Sequence, residues 1–490
     1  MHLPKLNVLK TVGIVFGVQC LSSAALAGWT VTNLHYGDAP HSYCTATDGG
    51  QQAGYIIFQG YVRPVVWADL PETMTGLPSD VGQAWAVENG QQVGRAVNAG
   101  FYNACVWSGP GGNPVLLHPI GAFESHAWGQ SAGQQVGEAR FGSQFEAGYW
   151  TGTAASWVSL HPSQAVSSVA HATNGAIQGG SVNYGTGDKA CVWNGTAQSV
   201  SLLHPSGYVS SVVWAMNGGQ QAGVVSPNVN GYFSASLWTG TVESHVDLHP
   251  AGYSGSIIYA TDGSYQAGVT LFGGYRAAVW NGSASSFFDL HSLLPSSFAE
   301  SFAFGVWSGN GTIKVAGFGR NIATGRDEAL LWTFRDTETV VPSGVTVQLG
   351  RVTSGNTGSL SADDSDPLVL CKFFVPNQTS PFVQVVLLGT TSFSSPDSLS
   401  LRHKSKLLNS GAFSTTCRLY NFVSGAYEES STAAIGSSYG LFSVTASGDC
   451  SRYVGQGGSL QAQLQFRQVG PSSSNFPCAS IEYLNWIVAP

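Results

Sequence analysis

The sequence predicts an all-β protein, a seven-bladed β-propeller followed by a β-sandwich. The first observation behind this prediction is a Trp that recurs seven times at intervals of 40 to 52 residues, each copy after a short apolar stretch. A unit of this length is the size of one propeller blade. The copies are Trp67, Trp107, Trp150, Trp193, Trp238, Trp280 and Trp332.

A Gly marker with the same period is the second observation, and four of its copies follow Gln-Gln-Ala or Gln-Gln-Val. Two independent markers in the same seven units are not a chance pattern. Within each unit, turn dipeptides at about ten-residue intervals separate short apolar runs, which predicts a meander of four strands. The marker residues are Gly54, Gly94, Gly137, Gly179, Gly223, Gly268 and Gly317.

The ends of the repeat region predict a closed ring. The last unit leaves the pattern after Trp332 and lacks the Leu-His strand that ends the other units. An orphan copy of that strand occurs at residues 28–35, and it would complete the last blade and remove an open sheet edge. An open β-solenoid, the competing fold, would have shorter coils and no orphan strand. We therefore place the propeller at residues 28–340.

Residues 1–27 have the pattern of a secretory signal peptide. Two lysines precede an apolar run, and Ala-Leu-Ala ends at residue 27 as a small-residue cleavage site. Cys20 follows a Gln, whereas a lipoprotein signal has a small residue there, so soluble export is expected. No later stretch reaches the ~18 apolar residues that a membrane helix needs. The mature protein is expected to be secreted, with the periplasm as the alternative.

The composition of the mature chain excludes nucleic acid as a partner. It has 17 basic and 27 acidic side chains, a net charge of −10, whereas nucleic acid binding requires a basic surface. Seven cysteines remain in an oxidising compartment. Four of them form two disulfides in one of three pairings, and these are Cys371, Cys417, Cys450 and Cys478.

The repeat resembles the units of bacterial extracellular HAF-type repeat proteins. These units combine a Gly-Gln-x-x-Gly turn, an Ala-x-x-Trp strand and an Asp-Leu strand, matched here at residues 90–94, 133–137, 277–280 and 247–248. The aromatic residue that follows the Ala in that family is missing here. The resemblance covers about two-thirds of the chain and implies only fold and location, since such families share no common activity.

A change of texture after residue 340 predicts a β-sandwich accessory domain at residues 341–490. Polar and apolar residues alternate there, as in Leu460–Phe466, which is typical of half-buried strands. Eight strands over about 150 residues fit a sandwich. They are predicted at residues 345–349, 368–374, 382–388, 398–407, 414–422, 439–446, 460–468 and 481–488.

One repeat position is rich in aromatic side chains and is our candidate ligand site. It lies nine residues before each Gly marker and holds Thr45, Trp85, Trp128, Ala170, Trp214, Tyr259 and Ser308. Aromatic rings at equivalent positions near the axis can stack on sugar rings or on a peptide. The alternative is packing between blades. We predict Trp85, Trp128, Trp214 and Tyr259 as the ligand-binding residues.

His245, Asp247 and His249 form the local pattern that best fits a metal site, because alternate residues of a strand face the same side. The alternative is that Asp247 and His249 only repeat a structural pattern. No cofactor is predicted elsewhere, except that the acidic run at residues 363–366 offers carboxylates to calcium. A His recurs near the end of the fourth strand, where we expect it to cap the turn into the next blade. These residues are His35, His118, His161, His204, His249 and His291.

No motif identifies a catalytic site. The run GSSYG at residues 436–440 has the letters of a nucleophile elbow, but no His follows His403 to complete the Ser-acid-His order. We therefore predict a secreted, non-catalytic binding or scaffold protein that recognises carbohydrate or a cell-surface protein through the propeller. The alternative is a secreted carbohydrate-active lyase or hydrolase. Two carboxylates or a His/Tyr/Arg cluster in the axial funnel would favour it.

Overall fold

The computed structural model describes residues 28–227, 232–335, 338–361, 367–372, 381–394, 396, 398–472 and 477–489. The predicted signal peptide and the acidic run at 363–366 lie outside these residues. The described chain is built from β-strands, which confirms the all-β prediction. None of its helices is long and apolar enough to cross a membrane. The helices are short 3-10 turns at Ala154–Ser156, Ala197–Ser199, Val242–Ser244, Ala284–Ser286, Leu290–Leu293, Thr357–Leu360, Cys450–Tyr453 and Gln456–Gly458.

Strand β1 (Trp29–Asn33) comes first, and six antiparallel sheets follow it, each made of four consecutive strands paired in chain order. Sheet 1 contains β2 (His41–Thr47), β3 (Gln52–Phe58), β4 (Tyr61–Ala68) and β5 (Leu70–Gly76). Sheet 2 contains β6 (Gly82–Glu88), β7 (Gln91–Asn98), β8 (Phe101–Trp107) and β9 (Val115–Leu116). Sheet 3 contains β10 (Glu124–Ser131), β11 (Gln134–Phe141), β12 (Gln144–Trp150) and β13 (Val158–Ser159).

The next three sheets repeat this plan. Sheet 4 contains β14 (Ser167–Thr173), β15 (Gln178–Asn183), β16 (Asp188–Trp193) and β17 (Ser201–Leu202). Sheet 5 contains β18 (Ser210–Asn217), β19 (Gln220–Ser226), β20 (Ser234–Trp238) and β21 (Val246–Asp247). Sheet 6 contains β22 (Gly255–Thr261), β23 (Gln266–Leu271), β24 (Tyr275–Trp280) and β25 (Phe288–Asp289).

Sheet 7 joins the two ends of the repeat region. Strands β26 (Phe298–Gly309), β27 (Thr312–Asn321) and β28 (Arg326–Arg335) pair in order, and β1 pairs antiparallel with β28. Trp29 lies opposite Phe334, and Asn33 lies opposite Leu330. The orphan N-terminal strand therefore completes the last sheet, as the sequence predicts.

The first strands of sheets 1 to 7 contact one another in cyclic order, and sheet 7 contacts sheet 1. A hydrophobic cluster spans each of the seven junctions and contains one fully buried copy of the repeated Trp. At the first junction, for example, Trp107 packs in one cluster with Ala53 and Val66 of sheet 1. The repeated Trp residues therefore pack between sheets.

A buried Gln at or next to the start of the second strand joins two turns of its sheet. The side-chain oxygen of Gln178 accepts from the Gly195 amide at 3.0 Å, and its side-chain nitrogen donates to the Ala176 carbonyl at 3.0 Å. Gln92 makes the equivalent pair of bonds in sheet 2, to Gly109 and Gly90. Because a buried amide must be satisfied on both sides, this position retains Gln.

The recurring His belongs to a hydrogen-bonded latch between neighbouring sheets. His249 Nδ1 lies 2.9 Å from Ser256 Oγ, and its Nε2 lies 3.0 Å from the Tyr253 carbonyl. Ser256 Oγ in turn accepts from the Ala235 amide of the preceding sheet at 2.9 Å. Since the carbonyl can only accept, Nε2 carries the ring proton and Nδ1 accepts from the hydroxyl. Equivalent His–Ser pairs are His35–Ser42, His118–Ser125, His161–Ser168, His204–Ser211 and His291–Ser301.

The junction between sheets 1 and 2 lacks the latch, and all three of its members change together. Pro64 occupies the third-strand position whose backbone N–H donates to the latch serine in the other sheets. It pairs with Tyr55, just as the donor Ala104 of sheet 2 pairs with Arg95. Gly82 replaces the Ser, and Pro78 replaces the His. Because proline has no N–H to satisfy, the hydroxyl acceptor is not needed there.

The remaining strands form two further sheets. Sheet 8 has the order β31-β32-β39-β34-β37, with β29 also paired to β39, and sheet 9 has the order β30-β33-β38-β35-β36. One hydrophobic cluster draws on both sheets, so they pack against each other. The strands are β29 (Glu338–Val340), β30 (Gly344–Leu349), β31 (Arg351–Ser354), β32 (Leu368–Cys371), β33 (Val383–Thr390), β34 (Ser398–Leu407), β35 (Gly411–Asn421), β36 (Ala426–Ile435), β37 (Gly440–Thr445), β38 (Ser459–Ser472) and β39 (Cys478–Ala489).

A disulfide joins Cys371 to Cys478 across the paired strands β32 and β39. Cys417 and Cys450 are buried inside the shared core. The prediction of disulfides among the four cysteines is therefore confirmed for one pair.

Candidate functional site

Each first strand of the seven sheets contains a β-bulge at one equivalent position. In sheet 2, for example, Ala84 pairs with Gly94 and Ala86 pairs with Val93, so Trp85 between them has no partner on β7. A bulge residue left out of the ladder turns its side chain away from the regular alternation. The seven bulge residues are Thr45, Trp85, Trp128, His171, Trp214, Tyr259 and Phe304.

The repeated Gly marker is required by this bulge. In sheet 2 a Cβ atom on Gly94 would lie 1.9 Å from the carbonyl oxygen of Gln83, and the glycine opposite the bulge in each of the other six sheets, which is Gly180 in sheet 4, would collide equally. Only glycine permits such a close approach of two backbones. The Gly marker in the sequence therefore reports the position of the bulge.

In sheets 4 and 7 the nine-residue spacing predicts the wrong residue for the cavity position. In sheet 4 the bulge faces Gly180 rather than Gly179, because Gly180 pairs with Ala170, and the bulge residue is therefore His171 instead of Ala170. In sheet 7 the hairpin between the first two strands is longer, so Phe304 rather than Ser308 occupies the bulge. The spacing rule fails where the marker is ambiguous or the hairpin changes length.

The bulge side chains converge on one cavity of about 530 Å³ at the centre of the ring. All seven sheets contribute their bulge residue to its wall. The four predicted ligand-binding residues, Trp85, Trp128, Trp214 and Tyr259, all belong to this wall. The wall also contains Tyr43, Tyr55, Phe318 and Asp327, which are not predicted from the sequence.

Nine of the lining rings form an unbroken belt around the axis. Neighbouring ring centroids lie 4.3 to 6.4 Å apart, and the last ring contacts the first. Such pairs add about 0.5–1.5 kcal/mol each beyond their burial. We call this set the aromatic belt. In order around the ring, it consists of Tyr43, Tyr55, Trp85, Trp128, His171, Trp214, Tyr259, Phe304 and Phe318.

The cavity lies toward one face of the ring. Each first strand begins at the face that the preceding connection enters, and the hairpin between the second and third strands returns to it. We call this the upper face. Tyr43 precedes its bulge, and Tyr55 and Phe318 pair with residues that precede theirs. Asp327 lies near the start of β28, so the cavity extends from the bulges toward the upper face.

Below the cavity, small residues allow neighbouring first strands to approach one another closely. The residue after each bulge residue is Ala or Gly in all seven sheets. A Cβ on Gly129 would lie 2.6 Å from the His171 carbonyl oxygen, and one on Gly305 would lie 2.8 Å from the Ala46 Cα atom. Neighbouring first strands therefore approach so closely that no side chain fits between them at Gly129 and Gly305.

Asp327 is the one carboxylate among the described residues that line the cavity. It accepts a hydrogen bond from the Tyr43 hydroxyl at 2.7 Å and from Arg320 at 3.3 Å. Burial, followed by the bond to Asp327, raises the pKa of Tyr43 far above its ordinary value. Tyr43 therefore stays protonated and acts as a donor rather than as a base.

The remaining polar groups of the belt are neutral. Burial lowers the pKa of His171 to about 3 and raises the pKa of Tyr55 to about 12. The indole nitrogens of Trp85, Trp128 and Trp214 are buried and have no hydrogen-bond partner among the described residues. A ligand in the cavity would therefore meet the faces and edges of the rings rather than their N–H groups.

A second group of polar side chains lies beside the belt, between sheets 2 and 3. His126 Nδ1 is 3.1 Å from Glu138, and its Nε2 is 3.2 Å from Arg95. Arg95 also donates twice to Gln83 and stacks on Tyr102 at 4.1 Å. We call this the Arg95 cluster. Its charges are compensated within the protein.

The structure does not bring the predicted metal residues together. The short strand β21 ends at Asp247, so the alternation that would align His249 with it stops. His245 bonds Ser236, while both ring nitrogens of His249 are used in the latch. Among the described residues, no group of three or more His, Cys, Asp or Glu side chains is placed to hold a metal ion.

Comparisons with known proteins leave the function open. No protein-family model and no curated protein matches the chain. Among solved structures, a puromycin hydrolase is 9% identical over 71% of this chain and 64% of its own, with a TM-score of 0.41. TolB from Acinetobacter baumannii is 10% identical over 49% and 63%, with a TM-score of 0.37. A carbohydrate-binding module (CBM4) is 10% identical over 31% and 95%, with a TM-score of 0.21.

Proposed function

We propose that this protein is a secreted, non-catalytic binding protein and that its ligand is a carbohydrate held in the axial cavity. In this proposal the seven sheets are the blades of a β-propeller, and the two C-terminal sheets form an accessory sandwich. Soluble export follows from the predicted signal peptide. Membership of the HAF-type repeat proteins is part of the same proposal and adds nothing about the ligand.

The aromatic belt is the observation that carries the proposal. Six of its nine rings lie at bulges, and the scaffold is maintained by other residues, namely the Trp, Gly, Gln and His–Ser positions. Exposed ring faces stack on the apolar faces of sugars, and Asp327 and Tyr43 supply polar contacts at the same wall. The volume is in the range of small-ligand sites.

Binding is favoured over catalysis because of the acid count at the cavity. Hydrolysis of a glycosidic bond needs two placed carboxyl groups, and Asp327 is the one carboxylate among the described lining residues. Its neighbour Glu328 turns away and bonds Asn33 at 2.7 Å and Thr324 at 2.6 Å. The catalytic route therefore lacks its second group.

The Arg95 cluster is the observation that keeps a carbohydrate-active lyase as the second candidate function. It combines Arg, His and Tyr beside the belt, the kind of group that abstracts and returns protons. Incubation with uronate-containing polysaccharides would test it by the appearance of unsaturated sugar ends. Product formation that is lost in His126→Ala would replace the binding proposal.

A glycan array tests the proposed function. We expect the wild-type protein to bind one glycan class and the Trp128→Ala/Trp214→Ala variant to lose that binding. Val423→Ala, at a residue 84% exposed on the C-terminal unit, serves as the folded control and should bind like the wild type. An array without any bound glycan, or binding that survives in the double Trp variant, would overturn the proposal.

A further inference from the structure

Large apolar side chains recur at the tips of the hairpins on the upper face. The hairpin between the second and third strands carries one in six of the seven sheets, each at least 37% exposed. The seventh, in sheet 3, has Gly142 and Ser143 at its tip instead. We call the six the tip residues. They are Tyr61, Phe101, Tyr184, Tyr232, Phe272 and Ile322.

The hairpins between the first and second strands, which lie at the opposite face, show no such pattern. Ile177, 36% exposed, is the one exposed large hydrophobic residue among their described positions. Single exposed hydrophobic residues are ordinary, but repetition at equivalent positions on one face is not. The fold does not need them either, because the sheet 3 hairpin forms without one.

The tip residues lie at the same upper face toward which the axial cavity extends. Burying such side chains in a complex removes apolar surface from water and stabilises the complex. In the isolated protein this contribution is unused. A ligand that reached beyond the cavity would gain it.

The character of the tips favours a neutral polymer. Their turns, such as Gln59–Tyr61, Ala99–Phe101 and Phe272–Gly274, contain no charged residue. Five of the six tip residues are Tyr or Phe, which present ring faces to sugars, and the sixth is Ile322. A protein partner would instead be expected to cover a contiguous apolar core.

Resting on the proposed function, we infer that the ligand is a long uncharged polysaccharide. A short stretch of the chain occupies the aromatic belt, and the segments on either side lie on the tip residues. Contacts at several points along one chain raise the affinity for a polymer above that for its fragments. The same cavity would hold a trisaccharide without contact to the tips.

Affinity electrophoresis and calorimetry test this inference with xylan, β-1,4-galactan, mixed-linkage β-glucan and galactomannan, each beside its trisaccharide. We expect one polymer to bind at least about tenfold more tightly than its trisaccharide. Phe101→Ala/Phe272→Ala should remove that advantage and leave trisaccharide binding unchanged. Trp128→Ala/Trp214→Ala should weaken both, and Ile177→Ala, on the other face, should weaken neither.

Each outcome separates the two proposals. Equal affinity for polymer and trisaccharide, or a polymer affinity untouched by Phe101→Ala/Phe272→Ala, overturns the inference but leaves the proposed function standing. If Phe101→Ala/Phe272→Ala loses polymer binding and Trp128→Ala/Trp214→Ala does not, the cavity is not the binding site. If no polysaccharide binds and the wild type self-associates through the tip residues, the upper face belongs to a second copy of the chain and the inference is wrong.

Discussion

Gly223 lies against the backbone of Val212 so closely that a Cβ atom on Gly223 would be 2.0 Å from the Val212 carbonyl oxygen. This contact exists because the bulge at Trp214 pushes the first strand of sheet 5 toward the second. The glycine repeated along the chain and the aromatic ring at the cavity are therefore two parts of the same β-bulge.

Replacing that glycine should disrupt the sheet. Gly223→Ala places a methyl group on a backbone oxygen and should destabilise the protein by at least about 2 kcal/mol. Gly219→Ala is a matched control, because Gly219 belongs to the same hairpin and a Cβ there would meet nothing within 4 Å. Chemical denaturation measures both, and equal midpoints would contradict the role of the marker.

Truncation of the two tryptophans of sheet 5 should have different effects on stability and on ligand binding. Trp238 is fully buried between sheets, so Trp238→Ala should cost about 3–5 kcal/mol of stability. Trp214→Ala should cost less, about 1–3 kcal/mol for its two ring contacts, and should reduce ligand binding, because its ring belongs to the cavity wall. A stability loss as large for Trp214→Ala would show that the belt holds the ring together.

The latch serine can be tested in the same way. Ser211→Ala removes the acceptor of the Ala190 amide and the partner of His204, and leaving a buried N–H unpaired costs about 1–3 kcal/mol. Ser206→Ala, at an exposed serine of the same connection, is the control and should have no effect. Thermal unfolding of the two variants distinguishes them, and identical curves would refute the latch.

Acid should weaken the protein through these histidines. Burial is the main cause that lowers the pKa of His35, His204 and His291 below 6.5. The unfolded chain therefore binds protons first, so stability is fully present above about pH 6.5 and falls as the pH decreases below it. Protonation of Nδ1 also removes the acceptor of the serine hydroxyl.

The measurement is the melting temperature from about pH 8 to about pH 5. The slope should be shallower in His204→Gln, which cannot titrate. A melting temperature that stays constant until pH 4.5 would assign acid unfolding to carboxylates such as Glu328 instead. Burial raises the pKa of Glu328, but hydrogen bonds from Thr324 and Asn321 outweigh it and lower the pKa below 4.5.

The disulfide should stabilise the C-terminal unit alone. Cys371 and Cys478 are 107 residues apart, and loss of a cross-link over such a loop costs about 2–5 kcal/mol. Cys371→Ser/Cys478→Ser should lower the unfolding transition that reports on Trp486 while the ring transition stays in place. Reductant should have no further effect on that variant, and a shift of both transitions would contradict independent unfolding.

Much of the ring was predictable from the sequence because its markers are local. Each Trp and each Gly is imposed by its own sheet, and the orphan strand at residues 29–33 reveals closure. The nine-residue spacing does not find His171, because two adjacent glycines make the marker of sheet 4 ambiguous, or Phe304, because the first hairpin of sheet 7 is longer. Asp327 and Phe318 carry no repeat signal, since they reach the cavity from the second and third strands of one sheet.

The sequence does not predict three strands of the C-terminal sheets, which are the three-residue β29 and the longer β31 and β36. Strands β31 and β36 have mostly exposed or half-exposed side chains and lie at sheet edges, so the apolar alternation that marks the other strands is absent. The structure does not bring the three predicted metal residues together for a related reason. Their spacing assumed a longer strand than the two residues of β21, and strand length is decided by pairing across the sheet.

The pairing of β1 with β28 also has a consequence for how the chain folds. Thr30 bonds a residue 303 positions further along, so sheet 7 can be completed only after all the other repeat strands exist. Until then β28 presents an unpaired edge that can capture β1 of another molecule. Refolding at high protein concentration should therefore give exchanged dimers and chains of rings, while dilute refolding gives the monomer. The contact that closes the ring thus sets both the slowest step of folding and its most accessible error.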